Sequence, residues 1–376
     1  MNINFIETIV ILFLLFFCYY CYYLKIFLKG LKHKYLKAVN EKPFVSVVVA
    51  VCNEENNIPH LLTALLNQDY PQELHEIIIA NDQSTDRTSE IVKEFQKKFK
   101  NLKLINIKIS DEVISRKKNA LSQGINSSKG KIILTTDADC IVKTSWISGM
   151  VRYFDHNIGL VAGFSIPNII NLNKASLLEK YEFLDTLALF SAAAGSIGEG
   201  KAFSCSGQNL AYTREAFSNV GGFDKIKSFI SGDDILLMQQ IRKGGYKIRF
   251  AFSDDTYNLT GSEKNLCRFL NQRIRWASNE KAQLDLNSEF FFLLIDVFLL
   301  NLVIVVSIFF SSLLFVIMLI IKSIADFFVI KKGINRFGLK KQVLNFFPIW
   351  ALIQPFYIVI TGIGGRLGIF RWKKDK

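Results

Sequence analysis

Apolar positions fall into two patterns along this chain. Residues 5–28, "FIETIVILFLLFFCYYCYYLKIFL", are apolar on every face of a helix and as long as a membrane span. The stretch has no small-residue cleavage site, so a retained anchor is expected rather than a signal peptide. After Pro43 the pattern changes to short β-branched runs separated by amphipathic segments. "FVSVVVAV" (44–51), "HEIIIAND" (75–82), "LKLINI" (102–107) and "KIILTTD" (131–137) read as strands, and the first is unbroken enough to be covered on both faces. Between them, Asn56 and Pro59 open a helix with Leu61, Leu62, Leu65 and Leu66 on one stripe. A second helix runs from Asp86–Thr88 to about Phe99, and a third spans 115–126.

Strands alternating with helices predict an α/β domain with a doubly wound, mostly parallel sheet. Ligands of such sheets bind beyond the carboxyl ends of the strands. At those ends this chain places Asn53 and Glu54, then Asn81 and Asp82, then Asp137 and Asp139. No G-x-G-x-x-G follows the first strand, which argues against a dinucleotide-binding domain of the dehydrogenase type. Residues 290–321 are apolar almost without a break, enough for two spans with a turn near Ser311-Ser312. Lys322 and Asp326, four apart, are expected to neutralise each other on a helix. Residues 331–341 read as a basic loop, and 343–363 as a last apolar stretch broken by Pro348, Pro355 and glycines. The organisation expected is an anchor over 1–28, a basic linker over 29–42, an α/β domain over 43–282, and a membrane region over 283–376 with two to three hydrophobic segments.

Charge sharpens this picture. The formal net charge is +13, but Lys25, Lys29, Lys32, Lys34 and Lys37 follow the first span directly. Basic residues in that place hold the flank in the cytoplasm, and no nucleic-acid-binding motif accompanies them. The middle of the chain is therefore expected in the cytosol of a multi-pass cell-membrane protein, with no nucleic acid as partner. Cysteines stand at 18, 21, 52, 140, 205 and 267. The C-x-x-C at 18–21 lies inside the span with no completing Cys or His, so it reads as small apolar side chains, and the scatter implies a reducing compartment.

Three acidic or polar clusters carry candidate chemistry. Asp137 and Asp139 fit either an acidic turn or a metal site; on an extended chain residues i and i+2 project to one side, and carboxylates suit Mg²⁺ or Mn²⁺. Asp233 and Asp234 follow Gly232 and open an amphipathic helix, where one acid would suffice as a cap. Gln272, Arg275 and Trp276 share one helical face, which would also suit a helix lying at the membrane interface.

Taken together, "VAVCNEE" (49–55), "IIIANDQSTDRT" (77–88), "RKKNALSQGI" (116–125), "LTTDADC" (134–140), "GGFD" (221–224), "SGDDILLMQQIRKGGYKI" (231–248) and "QRIRW" (272–276) resemble the successive motifs of a membrane-bound family-2 glycosyltransferase. That GT-A fold group includes cellulose, hyaluronan and poly-N-acetylglucosamine synthases and ceramide glucosyltransferases. The resemblance covers about residues 43–280 and the membrane layout. It implies an inverting transferase that uses a UDP-sugar and Mg²⁺ or Mn²⁺ and makes a β-linked product. Asp82 would accept a hydrogen bond from the nucleobase, with Asn81 standing where the family usually has a first acid, and Glu54 would line the donor pocket. Lys117 would meet the diphosphate, although Arg116 and Lys118 beside it also allow a solvated basic face. Asp137 and Asp139 would hold the metal, with Asp137 also facing the donor. Asp234 would be the general base, and Asp233 would hold position or touch the acceptor. Gln272, Arg275 and Trp276 would line the acceptor and diphosphate end. Asp86 reads better as an Asx turn capping the next helix.

The acceptor implied is a lipid or lipid-linked glycan, with a processive β-glycan synthase as the alternative; few spans leave little wall for a channel, which an oligomer could supply. An inactive nucleotide-sugar-binding protein would keep Asp82, Asp137 and Asp139 and have no need of Asp234. A transporter would leave its soluble part small.

Overall fold

A computed structural model describes residues 3–35, 42–108, 115–229, 231–278 and 280–371. Residues 36–41 of the expected basic linker, with Lys37, lie outside the described residues. The chain divides into two compact units, one of Lys34–Asn168 and Gly200–Gly261, the other of Met1–His33, Ile169–Glu199 and Ser262–Lys376.

The first unit holds the strands β1 (Val45–Val51), β2 (His75–Asn81), β3 (Leu102–Asn106), β4 (Ile132–Thr135), β5 (Ile158–Gly163), β6 (Ser165–Pro167), β7 (Leu210–Thr213), β8 (Lys247–Ala251) and β9 (Asn258–Thr260). Its helices are α2 (Ile58–Leu66), α3 (Thr88–Gln96), α4 (Arg116–Asn126), α5 (Trp146–Val151), α7 (Arg214–Asn219) and α8 (Ile235–Lys243). Seven strands form one sheet in the order β3-β2-β1-β4-β7-β5-β8, and β6 pairs with β9. Strands β1 to β4 are mutually parallel where they pair, and β7 alone runs antiparallel between β4 and β5. The long β-branched runs are what this sheet needs, because helices cover both of its faces. On one face Leu61, Leu62 and Leu65 of α2 bury with Val47, Val49, Ile77 and Ile79. On the other, Ala120 of α4 packs with Ala80 and Ile107. Each fully buried Val, Leu or Ile contributes about 1.5–3 kcal/mol. These faces fix which strand ends stand side by side, and that places the polar residues discussed below.

The second unit is helical: α1 (Ile3–Gly30), α6 (Leu177–Gly198), α9 (Leu266–Ala277), α10 (Glu280–Leu286), α11 (Ser288–Ser307), α12 (Ser312–Phe337) and α13 (Phe347–Leu367). Among the described residues four helical stretches are long and apolar enough to cross a membrane: Phe5–Gly30, Ser288–Ser307, Ser312–Phe337 and Lys341–Leu367. The turn expected at Ser311-Ser312 is present, with the Ser311 side chain capping α12 by accepting from the Leu314 amide at 3.2 Å.

Two expectations are corrected here. Residues 331–337 are not loop but the last turns of α12, because Lys and Arg are good helix formers and the stop comes only at Gly338, at φ 67. Pro348 and Pro355 do not break the last apolar stretch. Pro348 sits in the first turn of α13, where its missing amide is no loss, and Pro355 is held inside the helix. Lys322 and Asp326 do pair, at 2.6 Å, and Tyr20 and Gln354 add hydrogen bonds of 2.6 and 2.9 Å to them.

Candidate active site

The site grows from the carboxyl edge of β2, β1 and β4, three neighbours in the sheet. The loops after β1 and β2 are tied to each other. The Asn53 amide donates to Ser84 Oγ at 3.0 Å, and the Thr85 amide donates to Asn53 Oδ1 at 2.8 Å. The Glu54 amide donates to Thr88 Oγ1 at 2.8 Å, while Glu54 Oε2 accepts from Asn57 at 2.8 Å. Asn53 and Gln83 lie in the left-handed region, at φ 55 and 54, a cost that these cross-loop bonds offset. Asp86 accepts from the amides of Glu55 and Thr88 at 3.1 and 3.0 Å, which is the capping role expected of it. Burial alone would raise its pKa, but these donors and the Thr88 hydroxyl bring it below the ordinary value. Asn81 bridges to Asn106 at 3.0 Å and accepts from the Ser84 amide at 3.2 Å, so it serves the strand ends.

The first turn of α4 reaches three of these loops. Arg116 donates to both oxygens of the buried Asp82, at 2.8 Å from Nε and 2.9 Å from Nη2. A forked pair of this kind fixes the plane of the carboxylate. Lys117 Nζ lies 2.8 Å from Asp137 Oδ1 and 3.2 Å from Asp233 Oδ2. Burial opposes its charge, but Asp137 and Asp233 outweigh that and hold the ammonium well above the ordinary lysine range. Lys118 is buried, and its Nζ donates to the carbonyls of Ile226, Phe229 and Ser231 at 3.1, 2.5 and 2.8 Å. The alternative of a solvated basic face therefore fails for all three cations, which fan out to different partners.

Asp137 and Asp139 stand past the end of β4, with a turn at 138–139 rather than extended chain. Asp137 is half-buried against Lys117 and Asp139 is exposed, with the Cys140 thiol 3.9 Å from its Oδ1. Among the described residues no group of three His, Cys, Asp or Glu side chains could hold a metal by itself. Two carboxylates do fit Mg²⁺ or Mn²⁺ of the kind completed by substrate phosphates and water.

Asp233 and Asp234 follow Gly232, whose φ of 81 makes the sharp entry to α8. Asp234 Oδ1 accepts from the Ile235 amide at 2.7 Å and Oδ2 from the Gly207 amide at 2.8 Å. Burial and the neighbouring Asp233 raise its pKa. Burial also acts to raise Asp233, but Lys117 reverses that and lowers it. Lys117 and burial thus act on the two adjacent carboxylates in opposite directions.

Gln272, Arg275 and Trp276 lie on α9, in the helical unit, and Trp276 is exposed. The residue between them, Arg273, is buried, 3.1 Å from Asp185, with its guanidinium 4.1 Å from the centroid of the Trp276 ring. Sequence reasoning missed Arg116, Lys118, Arg273 and the Gly207 amide. For the first two a signal existed. Three consecutive cations in the first turn of a helix oppose its dipole, so they need partners.

The model of the family described as Glycosyl transferase family 21 matches residues 8–361. The chain belongs to this family. Among its relatives, "Probable glycosyltransferase YdaM" of Bacillus subtilis is 31% identical over 264 residues, covering 69% of this chain and 60% of that protein. "Poly-beta-1,6-N-acetyl-D-glucosamine synthase" of Staphylococcus epidermidis is 27% identical over 65% of this chain and 60% of its own. "Beta-monoglucosyldiacylglycerol synthase" of Nostoc sp. is 29% identical over 52% and 41%. The chain thus spans 60% or so of the length of the first of these relatives. A solved structure, "Mannosyltransferase PcManGT from Pyrobaculum calidifontis in complex with GDP-Man and Mn2+", superposes with a TM-score of 0.64 at 18% identity, over 98% of this chain and 99% of that one. That likeness bears out the GT-A fold. The resemblance to the family-2 group is met by the glycosyl transferase family 21 match and these relatives.

Proposed function

We propose that this family 21 member is an inverting glycosyltransferase that moves a sugar from a nucleoside-diphosphate sugar to a membrane-associated acceptor. The observation that carries the reading is Lys117, whose one ammonium touches Asp137 on the donor side and Asp233 beside the base. Such a bridge sets the two halves of a displacement at one place.

In this reading Arg116 fixes the plane of the Asp82 carboxylate, which as an acceptor would take a hydrogen bond from the nucleobase. Glu54 lies in the loop beside it. Asp137 and Asp139 would hold Mg²⁺ or Mn²⁺, which as a Lewis acid offsets charge on the leaving diphosphate. Lys117 adds a fixed positive charge next to Asp137. Asp234, with its pKa raised, takes the proton from the acceptor hydroxyl as that oxygen attacks the anomeric carbon from the face opposite the diphosphate. Asp233 stays charged beside it. For Gln272, Arg275 and Trp276 of the helical unit, the motif implies a role toward the acceptor or diphosphate.

A UDP-sugar is the donor proposed from the motifs; the mannosyltransferase with GDP-Man makes GDP-sugars the first competitor to test. Four apolar helical stretches favour a lipid or lipid-linked acceptor over a long exported glycan. The sheet unit would then face the cytosol from the cell membrane.

Asp139→Ala tests the metal site. Titration calorimetry with UDP and with GDP, each with and without Mn²⁺, should show metal-dependent affinity in the wild type and none in the variant. Equal metal dependence in both proteins would falsify the assignment. Mass analysis of products from a donor panel separates a single addition from a polymer.

A further inference from the structure

The family motifs give Lys118 no role, yet it is buried, 2% exposed. Burying an ammonium is costly unless each of its hydrogens finds a partner. Here the three hydrogens meet three main-chain carbonyls, of Ile226, Phe229 and Ser231. Among the described residues no carboxylate pairs with it at contact distance, and its bonds go to these carbonyls. Among its described residues the chain here makes a 3-10 turn at Asp224–Ile226 and a further turn in which the Phe229 amide donates to the Ile226 carbonyl at 3.2 Å, and it leads on to Gly232, Asp233 and Asp234. The carbonyls of Phe229 and Ser231, a few residues before Asp233 and Asp234, are thereby tied to the first turn of α4.

We propose that Lys118 is a positioning residue for the general base: its ammonium pins the carbonyls of Ile226, Phe229 and Ser231 to α4 and so sets where Asp234 stands relative to Lys117 and Asp137. This rests on the reading of Asp234 as the base. Lys117 and Lys118 are successive residues of one rigid helix, so the donor side and the base side of the site share a single ruler. Met has nearly the length of Lys and keeps the buried stem without the three donors, so Lys118→Met removes the tether and little else.

The titration of Lys118 supplies a readout that a merely structural role would not move. Burial lowers its pKa to about 8, against the opposing pull of Asp233 and Asp234. Losing the proton there relieves a burial penalty, so this group costs the fold no stability as pH rises. It does remove one of the three donors, and the tie to these carbonyls loosens.

The experiment uses the full chain in nanodiscs. Hydrogen exchange should accelerate about tenfold or more at residues 226–234 in Lys118→Met, with β1 to β4 unchanged. Release of UDP from UDP-glucose and UDP-N-acetylglucosamine, and of GDP from GDP-mannose, should fall at least tenfold in kcat with the Kd for UDP or GDP plus Mn²⁺ within about twofold. The wild-type rate should decline through about pH 8, and that limb should be absent in the variant. Lys118→Arg, which keeps its charge to higher pH, should recover part of the rate and lose the limb. Unchanged exchange at 226–234, or loss spread evenly over the sheet, overturns the proposal. Asp234→Asn run in parallel separates the two failures. If it is inactive while Lys118→Met is normal, only the tether is wrong; if it turns over normally, the base assignment falls first.

Discussion

Asp234 carries the sharpest residue-scale prediction, and the structure changes how it must be read. From sequence, Asn appears a neutral replacement, since it caps a helix about as well as Asp. The carboxylate, however, accepts from two amides on different oxygens, those of Ile235 and Gly207. Asn offers one oxygen, so one amide loses its acceptor at a cost of about 1–3 kcal/mol. Asp234→Asn should therefore lower the melting temperature slightly and also reduce turnover by about 10²–10⁴-fold with nucleotide binding retained. In the wild type the rate should fall as pH drops through a pKa above the ordinary aspartate value, because the base must be deprotonated. Stopped turnover, calorimetry and thermal unfolding on the same preparation separate the two effects. Wild-type turnover in this variant, with Asp233→Asn inactive, would mean that the base is its neighbour.

At the scale of elements, α1 and α6 of the helical unit approach each other closely. A Cβ on Gly195 would lie 2.6 Å from the Cα and carbonyl oxygen of Phe27, and one on Gly30 would lie 1.8 Å from the Gly195 carbonyl oxygen. These are backbone atoms, which cannot swing aside as a side-chain end can. Small residues let the two backbones approach this closely, and α6, with "SAAAGSIG" at its end, is built for it. Gly195→Val should force the helices apart and cost at least about 1–3 kcal/mol. Gly261→Ala is the control, since nothing lies within 4 Å of its Cβ. Thermal unfolding in detergent compares them, and equal melting temperatures would contradict the close approach. The run of three cations on α4 makes the same point from the other unit: an element's faces acquire meaning only from what they meet.

For the molecule as a whole, orientation is the property to test. Lysines at 25, 29, 32 and 34 follow the first apolar helix, so the sheet unit is expected on the cytosolic side. Cys205 is buried and unsuitable as a reporter, whereas Cys52 is partly exposed and Cys267 is exposed. In a variant with Cys18 and Cys21 replaced by Ser, a membrane-impermeant maleimide should label neither in intact cells and both after permeabilisation. Labelling of Cys52 before permeabilisation would reverse the orientation.

The alternation of β-branched runs and amphipathic stripes was enough to place β1 to β4 and α2 to α4 within a few residues, because local periodicity reports burial directly. The same sequence pattern located the acids at the strand ends, since a parallel sheet exposes only its edges. It misjudged the end of α12 and the tolerance of α13 for Pro355, because helix termini depend on neighbours that periodicity does not name. Only the tertiary structure decided that Arg116, Lys117 and Lys118 serve Asp82, Asp137 with Asp233, and the carbonyls of Ile226, Phe229 and Ser231 in turn. Those partners lie 20 to 116 residues away in the chain, so no local pattern could pair them. The chemistry-bearing residue types are written in the sequence; which of them meet is set by the packing of α4 on the sheet.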